Sequence, residues 1–121
     1  MSSYIDSVDL CHDSAKYKQA CFALTVPSVE RCELGTDIPI HRHPDKDESF
    51  VILRGKVRST TYNDDGSVID SVVLSHEDGI YGVDIPQGVW HKHESLEQAS
   101  VIFECKEGPY EPQSPADILT V

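Results

Sequence analysis

A chain of 121 residues, 39% apolar and 26% charged, suits one soluble domain that buries roughly two-thirds of its unfolded surface. Its formal net charge of -11 sets it against phosphate backbones and anionic bilayers, so neither nucleic acid nor a membrane is an expected partner. No run approaches the roughly 20 apolar residues that span a bilayer, and MSSYIDSVDLCHDSAK lacks the basic and apolar regions of a secretion signal, which points to the cytoplasm.

Residues 3–20 have mixed polarity and suit a short helix or an extended arm, so 1–20 reads as an N-terminal arm. From Cys21 onward, short runs of Val, Ile, Thr, Phe and Tyr alternate with turn clusters. The predicted strands are 21–26, 28–34, 38–43, 48–54, 56–62, 68–74, 80–85 and 99–106. They are divided at Pro27, Gly35, Pro44 to Asp47, Gly55, Asn63 to Ser67, Gly79, and Pro86 to Gly88. The NDDG beginning at Asn63 is a hairpin signal, because Asn, Asp and Gly tolerate the positive φ of a tight turn. With no helices to cross between parallel strands, an antiparallel sandwich or barrel over 21–112 follows, with 113–121 as a C-terminal tail. Phe50-Val51-Ile52-Leu53 is apolar on both faces, so it needs cover from a loop or from a second subunit in a homodimer.

The four cysteines, Cys11, Cys21, Cys32 and Cys105, form no C-x-x-C pair, which argues against a structural zinc site and leaves ordinary buried thiols. The histidines are different. His41 and His43 are two apart, so an extended strand aims both imidazoles at one side. Pro44 to Asp47 turns the chain, and Glu48 opens the next strand with Phe50 and Ile52 on its own face. His91, behind the turn Pro86-Gln87-Gly88, can bring another ligand from the opposite sheet. Three imidazoles and one carboxylate, with no thiolate, suit one divalent transition metal: Fe, Mn, Ni, Co or Zn. Six-coordination would leave two positions open for water, oxygen or a bidentate ligand.

These residues match the cupin family. Gly35, His41, His43, Glu48 and Gly55 fill every fixed position of its first motif, G-x5-H-x-H-x(3,4)-E-x6-G. Pro86, Gly88 and His91 match its second motif, G-x5-P-x-G-x2-H-x3-N, although Gly79 is displaced by one residue and Ser95 replaces the Asn. Within cupins the chain resembles the WbuC-type cupin fold metalloproteins, through HRHPDKDESFVILRG, the strand pair around YNDDGSV, YGVDIPQGVWH and FECKEGPYEP. The N-terminal part is less alike, and the tail after Pro112 lacks that family's Trp-containing ending. The resemblance implies a double-stranded β-helix, the jelly-roll cupin barrel, with one metal at its mouth. Through the association of some members with surface-polysaccharide gene clusters, it also suggests a sugar or sugar-nucleotide ligand. Fold alone does not fix the reaction.

Other residues have two readings each. His93 shares a face with His91 and is either a proton shuttle beside the metal or, more ordinarily, a rim histidine in water. Arg58 would clamp a carboxylate or phosphate if its strand face lined the barrel, and is otherwise an exposed strand arginine. Tyr62 and Tyr81 are better placed for packing than for ligand binding, and Trp90 should pack behind His91. His12 and His76 read as surface residues. In the last strand either Glu104 or the pair Phe103 and Cys105 faces inward.

The function expected is that of a small metalloprotein that acts on, or binds, a small oxygen-rich ligand, sugar-like or carboxylate. As an enzyme it would be a metal-dependent dioxygenase or isomerase. The alternatives are a non-catalytic sugar-binding module and a structural metal site.

Overall fold

The computed structural model describes residues 3–5, 25–32, 34, 38–108 and 112–120, with the backbone alone for 3–5 and 25–32. Among the described residues the chain forms β1 (Ser3–Ile5), β2 (Thr25–Cys32), β3 (Ile40–His41), β4 (Glu48–Arg54), β5 (Lys56–Tyr62), β6 (Val68–Ser75), β7 (Gly82–Ile85), β8 (Trp90–Ser95), β9 (Ser100–Glu107) and β10 (Ile118–Leu119). A 3-10 turn, Pro115–Asp117, precedes β10. The strands make two antiparallel sheets, ordered β1-β7-β4-β9-β2 and β10-β3-β8-β5-β6.

Two turns set this geometry. Gly55 joins β4 to β5 at φ 82, and a Cβ there would run into the Ser100 hydroxyl, so only glycine fits. In the β5–β6 hairpin the Gly66 amide donates to the Asn63 carbonyl at 3.0 Å, and the Asn63 amide to Ser67 O at 2.8 Å. Asp65 Oδ1 accepts from the Ser67 amide at 2.9 Å and from its hydroxyl at 2.6 Å.

Several elements differ from the sequence reading. Pro27 does not divide two strands. It lies inside β2, opposite Cys105, and β2 is the edge of its sheet, the position in which strands accommodate proline. Residues 21–24 and 6–20, with His12, Cys11, Cys21 and the expected arm or helix, lie outside the described residues. Ser3–Ile5 adds an edge strand to β7, and Ile118–Leu119, in the tail segment, adds one to β3. The strand expected over 38–43 shortens to two residues before the turn at Pro44. Trp90–Ser95, too polar to read as a strand, is β8, held between β3 and β5.

The interior is arranged in rows across the sheets, because paired residues in adjacent strands share a face. In one sheet, His91 of β8, Thr61 of β5 and Asp70 of β6 are in register; next come His93, Ser59 and Val72, then Ser95, Val57 and Leu74. In the other, Ile85, Glu48 and Lys106 are in register, followed by Val83, Phe50 and Glu104, while Ile52 pairs with Ile102. The apolar core is Phe50, Ile52, Val57, Val72, Leu74, Val83, Ile85 and Ile102. Each such side chain stabilises the fold by roughly 1.5–3 kcal/mol. On the outer face of β4, Val51 is half-buried and Leu53 is 48% exposed.

Candidate metal centre

Three short segments deliver the histidines and the carboxylate. His41 of β3 is directly opposite His91 of β8. His43 follows just outside β3, and the Gly88 amide of the Pro86–Gly88 turn donates to its carbonyl at 2.7 Å. Asp47 ties the intervening loop down, its carboxylate accepting from the Gln87 amide at 2.8 Å. Lys46 Nζ donates to the Glu107 carbonyl at 3.0 Å. Glu48 then enters from the facing sheet as the first residue of β4.

The coordinating nitrogens of His41, His43 and His91 all lie within 4.8 Å of one another. Metal–nitrogen bonds are about 2.1 Å long, so one ion can touch all three after small side-chain movements. Backbone carbonyls fix two of the rings: His41 Nδ1 donates to Pro39 O and His91 Nδ1 to Val89 O, each at 2.9 Å. Both therefore turn Nε2, with its lone pair, to the centre, the arrangement that outer partners give to metal-bound histidines. Glu48 Oε1 lies 2.9 Å from His43 Nε2 and 3.2 Å from His91 Nε2. Even so, neither Glu48 Oε1 nor His91 Nε2 has a well-directed hydrogen bond, and both atoms are buried. Close polar atoms that miss hydrogen-bond geometry around one point are what a coordinated ion would satisfy.

The electrostatics suit a cation. Burial and the neighbouring His91 push His41 down to about 4, so its ring is neutral at pH 7. Burial alone would raise the Glu48 carboxyl; the contacts from His43 and His91 outweigh it and hold the group well below the usual carboxylate range. Neutral imidazoles and an ionised carboxylate are the ligand forms a divalent metal needs.

The flanking residues fall into place around this core. Trp90 is buried behind His91, with the Arg42 guanidinium 4.3 Å above its ring and its indole N–H donating to Asp64 Oδ1 at 2.9 Å. Arg42 Nε in turn donates to Asp117 Oδ1 at 3.1 Å, which fastens the C-terminal turn to the segment carrying His41 and His43. His93 is not a rim residue in water: both ring nitrogens are buried, the ring centre is 4.1 Å from that of Phe50, and burial lowers its pKa to about 3. The alternation of β8 puts it on the same interior face as His91. Arg58 is on the opposite face from the interior residues Val57, Ser59 and Thr61; it is exposed and 3.8 Å from Glu94, so the condition for a clamp is not met. His76 is exposed, with Nε2 2.8 Å from Ile52 O. Tyr62 and Tyr81 are half-buried.

In β9 the inward face is that of Ile102, Glu104 and Lys106, although Cys105 is buried as well and Phe103 half-buried. Sequence reasoning missed Lys106, Ser59 and Thr61. Parity could have found Lys106, since it is four residues from the apolar Ile102 and shares its face. Ser59 and Thr61 read only as β-formers until their register against His93 and His91 is known.

Residues 28–74 match a family model described as a domain of unknown function (DUF6016). No curated protein matches the chain. Solved structures do. A dTDP sugar isomerase from Desulfovibrio desulfuricans G20 superimposes with a TM-score of 0.64 at 16% identity, over 76% of this chain and 65% of that one. An rmlC epimerase from Mycobacterium tuberculosis gives a TM-score of 0.64 at 16% identity, over 84% and 54%. The capsular polysaccharide assembling protein CapF from Staphylococcus aureus gives 0.63 at 27% identity, over 76% and 26%. The chain thus spans just under two-thirds, about half and about a quarter of these neighbours. With the two facing antiparallel sheets, the likeness identifies the fold as the double-stranded β-helix of the cupin barrel. Among the described residues no helix is long and apolar enough to cross a membrane.

Proposed function

We propose that this chain is a cytoplasmic cupin metalloprotein of the WbuC type. It holds one divalent transition metal through His41, His43, Glu48 and His91 and presents open coordination positions to a small oxygen-rich ligand. The observation that carries this reading is the convergence of three imidazoles, their nitrogens within 4.8 Å of one another, beside a buried carboxylate whose Oε1 lies 2.9 Å from His43 and 3.2 Å from His91 with no directed hydrogen bond to account for it. When bound, the metal would act as a Lewis acid toward ligand oxygens. His93, on the same face as His91, would accept or return a proton from such a ligand. The neighbours described as sugar isomerase and epimerase support a sugar-like ligand and isomerase chemistry over dioxygenation. A homodimer packed on the Val51 and Leu53 face of β4 would cover the apolar residues that the barrel leaves outside.

The test is metal analysis of protein purified without nickel affinity, followed by competition titration. A stoichiometric Fe, Mn, Co, Ni or Zn ion is expected. His41→Ala should fold, by circular dichroism, and lose more than about 100-fold in metal affinity. A wild-type protein that binds none of these ions would overturn the reading. A structural role for the metal has one observation in its favour: the ligands come from both sheets, so the ion would staple them together. In that case metal removal unfolds the barrel.

A further inference from the structure

The interior around the metal centre carries more hydrogen-bonding groups than an ion can use. From the facing sheet, β9 contributes Lys106, in register with Glu48, and Glu104, in register with Phe50. Their side chains share the face of the core residue Ile102, and Lys106 Nζ is 3.2 Å from Glu104 Oε1. The pair is partly open to solvent, with side chains 25% and 11% exposed. From the other sheet, β5 contributes Ser59 and Thr61, opposite His93 and His91. They are 3% and 1% exposed, and neither hydroxyl has a hydrogen-bond partner; nor does either ring nitrogen of His93.

Two other buried hydroxyls in the same barrel, those of Thr60 and Ser100, are satisfied. Thr60, adjacent to both but on the outer face, shares a hydrogen bond with Ser71 Oγ at 3.3 Å. Ser100 Oγ donates to Glu97 O at 2.9 Å or Lys56 O at 3.2 Å. Orphaned polar atoms therefore gather on one interior surface, beside the metal residues. Such groups are costly to bury and call for a partner from outside the chain.

The chemistry of these walls selects the partner. An ammonium beside a carboxylate offers one donor and one acceptor, the complement of adjacent hydroxyl groups. We propose that Lys106 and Glu104 on one side, and Ser59 and Thr61 on the other, form a recognition site for the neutral hydroxyls of a sugar lying across the barrel mouth. The inference deepens the metal reading, since the same ligand would reach the ion with its remaining oxygens.

The experiment uses zinc-loaded and metal-free full-length protein and saturation-transfer NMR. The probes are three neutral sugars (D-glucose, D-galactose and L-rhamnose), with oxalate as the anionic comparator. At least one sugar is expected to show saturation transfer with the wild type. Lys106→Met and Thr61→Val should each weaken its binding tenfold or more, while zinc affinity, measured separately, and oxalate affinity change less than twofold. Oxalate binding with no sugar bound in either form overturns the inference, as does sugar binding that both variants leave intact. A protein that takes up no zinc but binds a sugar in a Lys106-dependent way sinks the metal reading and keeps this one.

Discussion

Leu74 and His91 are both fully enclosed, in strands separated only by β5, yet they face opposite ends of one barrel. Around Leu74 lie Val57, Ile52 and Ile102, each no more than 2% exposed and each without a polar side-chain atom. Around His91 lie Glu48 and Thr61, buried to a similar degree and polar. Burial is therefore not what separates the two ends. The closed end gains from excluding water, whereas the mouth spends stability to hold polar atoms that the chain leaves unmatched. The second arrangement makes sense where something else completes it.

The comparison breaks most sharply at the closed end. Leu74→Ala removes a fully enclosed side chain that its β-sheet neighbours cannot collapse around, and should cost about 2–5 kcal/mol in urea unfolding. Zinc affinity of the folded fraction should stay within a factor of two, because Leu74 is in register with Val57 and Ser95, two rows from Thr61 and His91. A large loss of affinity would mean that the two ends are one mechanical unit.

A pH series sharpens the contrast, because the side chains of Leu74, Val57, Ile52 and Ile102 have nothing to titrate. His41 is lowered to about 4 and His93 to about 3 in the folded chain, against 6.5 for the free side chain. Between these values the unfolded chain binds protons that the folded one refuses, so stability is full above about pH 6.5 and falls as the pH drops toward 4. Each histidine contributes a slope of up to about 1.4 kcal/mol per pH unit. The measurement is urea unfolding of metal-free protein from pH 7.5 to 4.5, with His93→Leu expected to remove part of the slope. A flat profile would place both rings in water.

How much of this the sequence disclosed depends on the kind of signal. The H-x-H spacing, the turn at Pro44 and the parity of Glu48 with Phe50 depend on local geometry; the structure holds the nitrogens of His41, His43 and His91 within 4.8 Å of one another, with Glu48 against His43 and His91. The strands of the β5–β6 hairpin were legible for the same reason. What the sequence hid is what depends on partners. Pro27 reads as a break because edge position is invisible in a linear chain, and β8 reads as a loop because its strand character comes from β3 and β5 on either side. His93 looked solvated since nothing local announces that Phe50, far away in sequence, packs on its ring. The inward turn of Lys106 required the register against Glu48.

The smallest effect is the most discriminating, and it uses two adjacent residues. Thr60 and Thr61 are both buried in β5, but only the Thr60 hydroxyl has a partner, Ser71 Oγ at 3.3 Å. Valine has the branched shape of threonine with a methyl in place of the hydroxyl, so each substitution asks what the hydroxyl contributes. Thr60→Val should lose about 0.5–1.5 kcal/mol, the net value of a hydrogen bond. Thr61→Val removes a buried polar atom with nothing to bond, and should gain about 1 kcal/mol, raising the melting temperature by roughly 3–6 °C. Calorimetry on metal-free protein reads both signs. Destabilisation at both positions would mean that the mouth is satisfied internally after all, and the distinction between the barrel's two ends would reduce to one of composition.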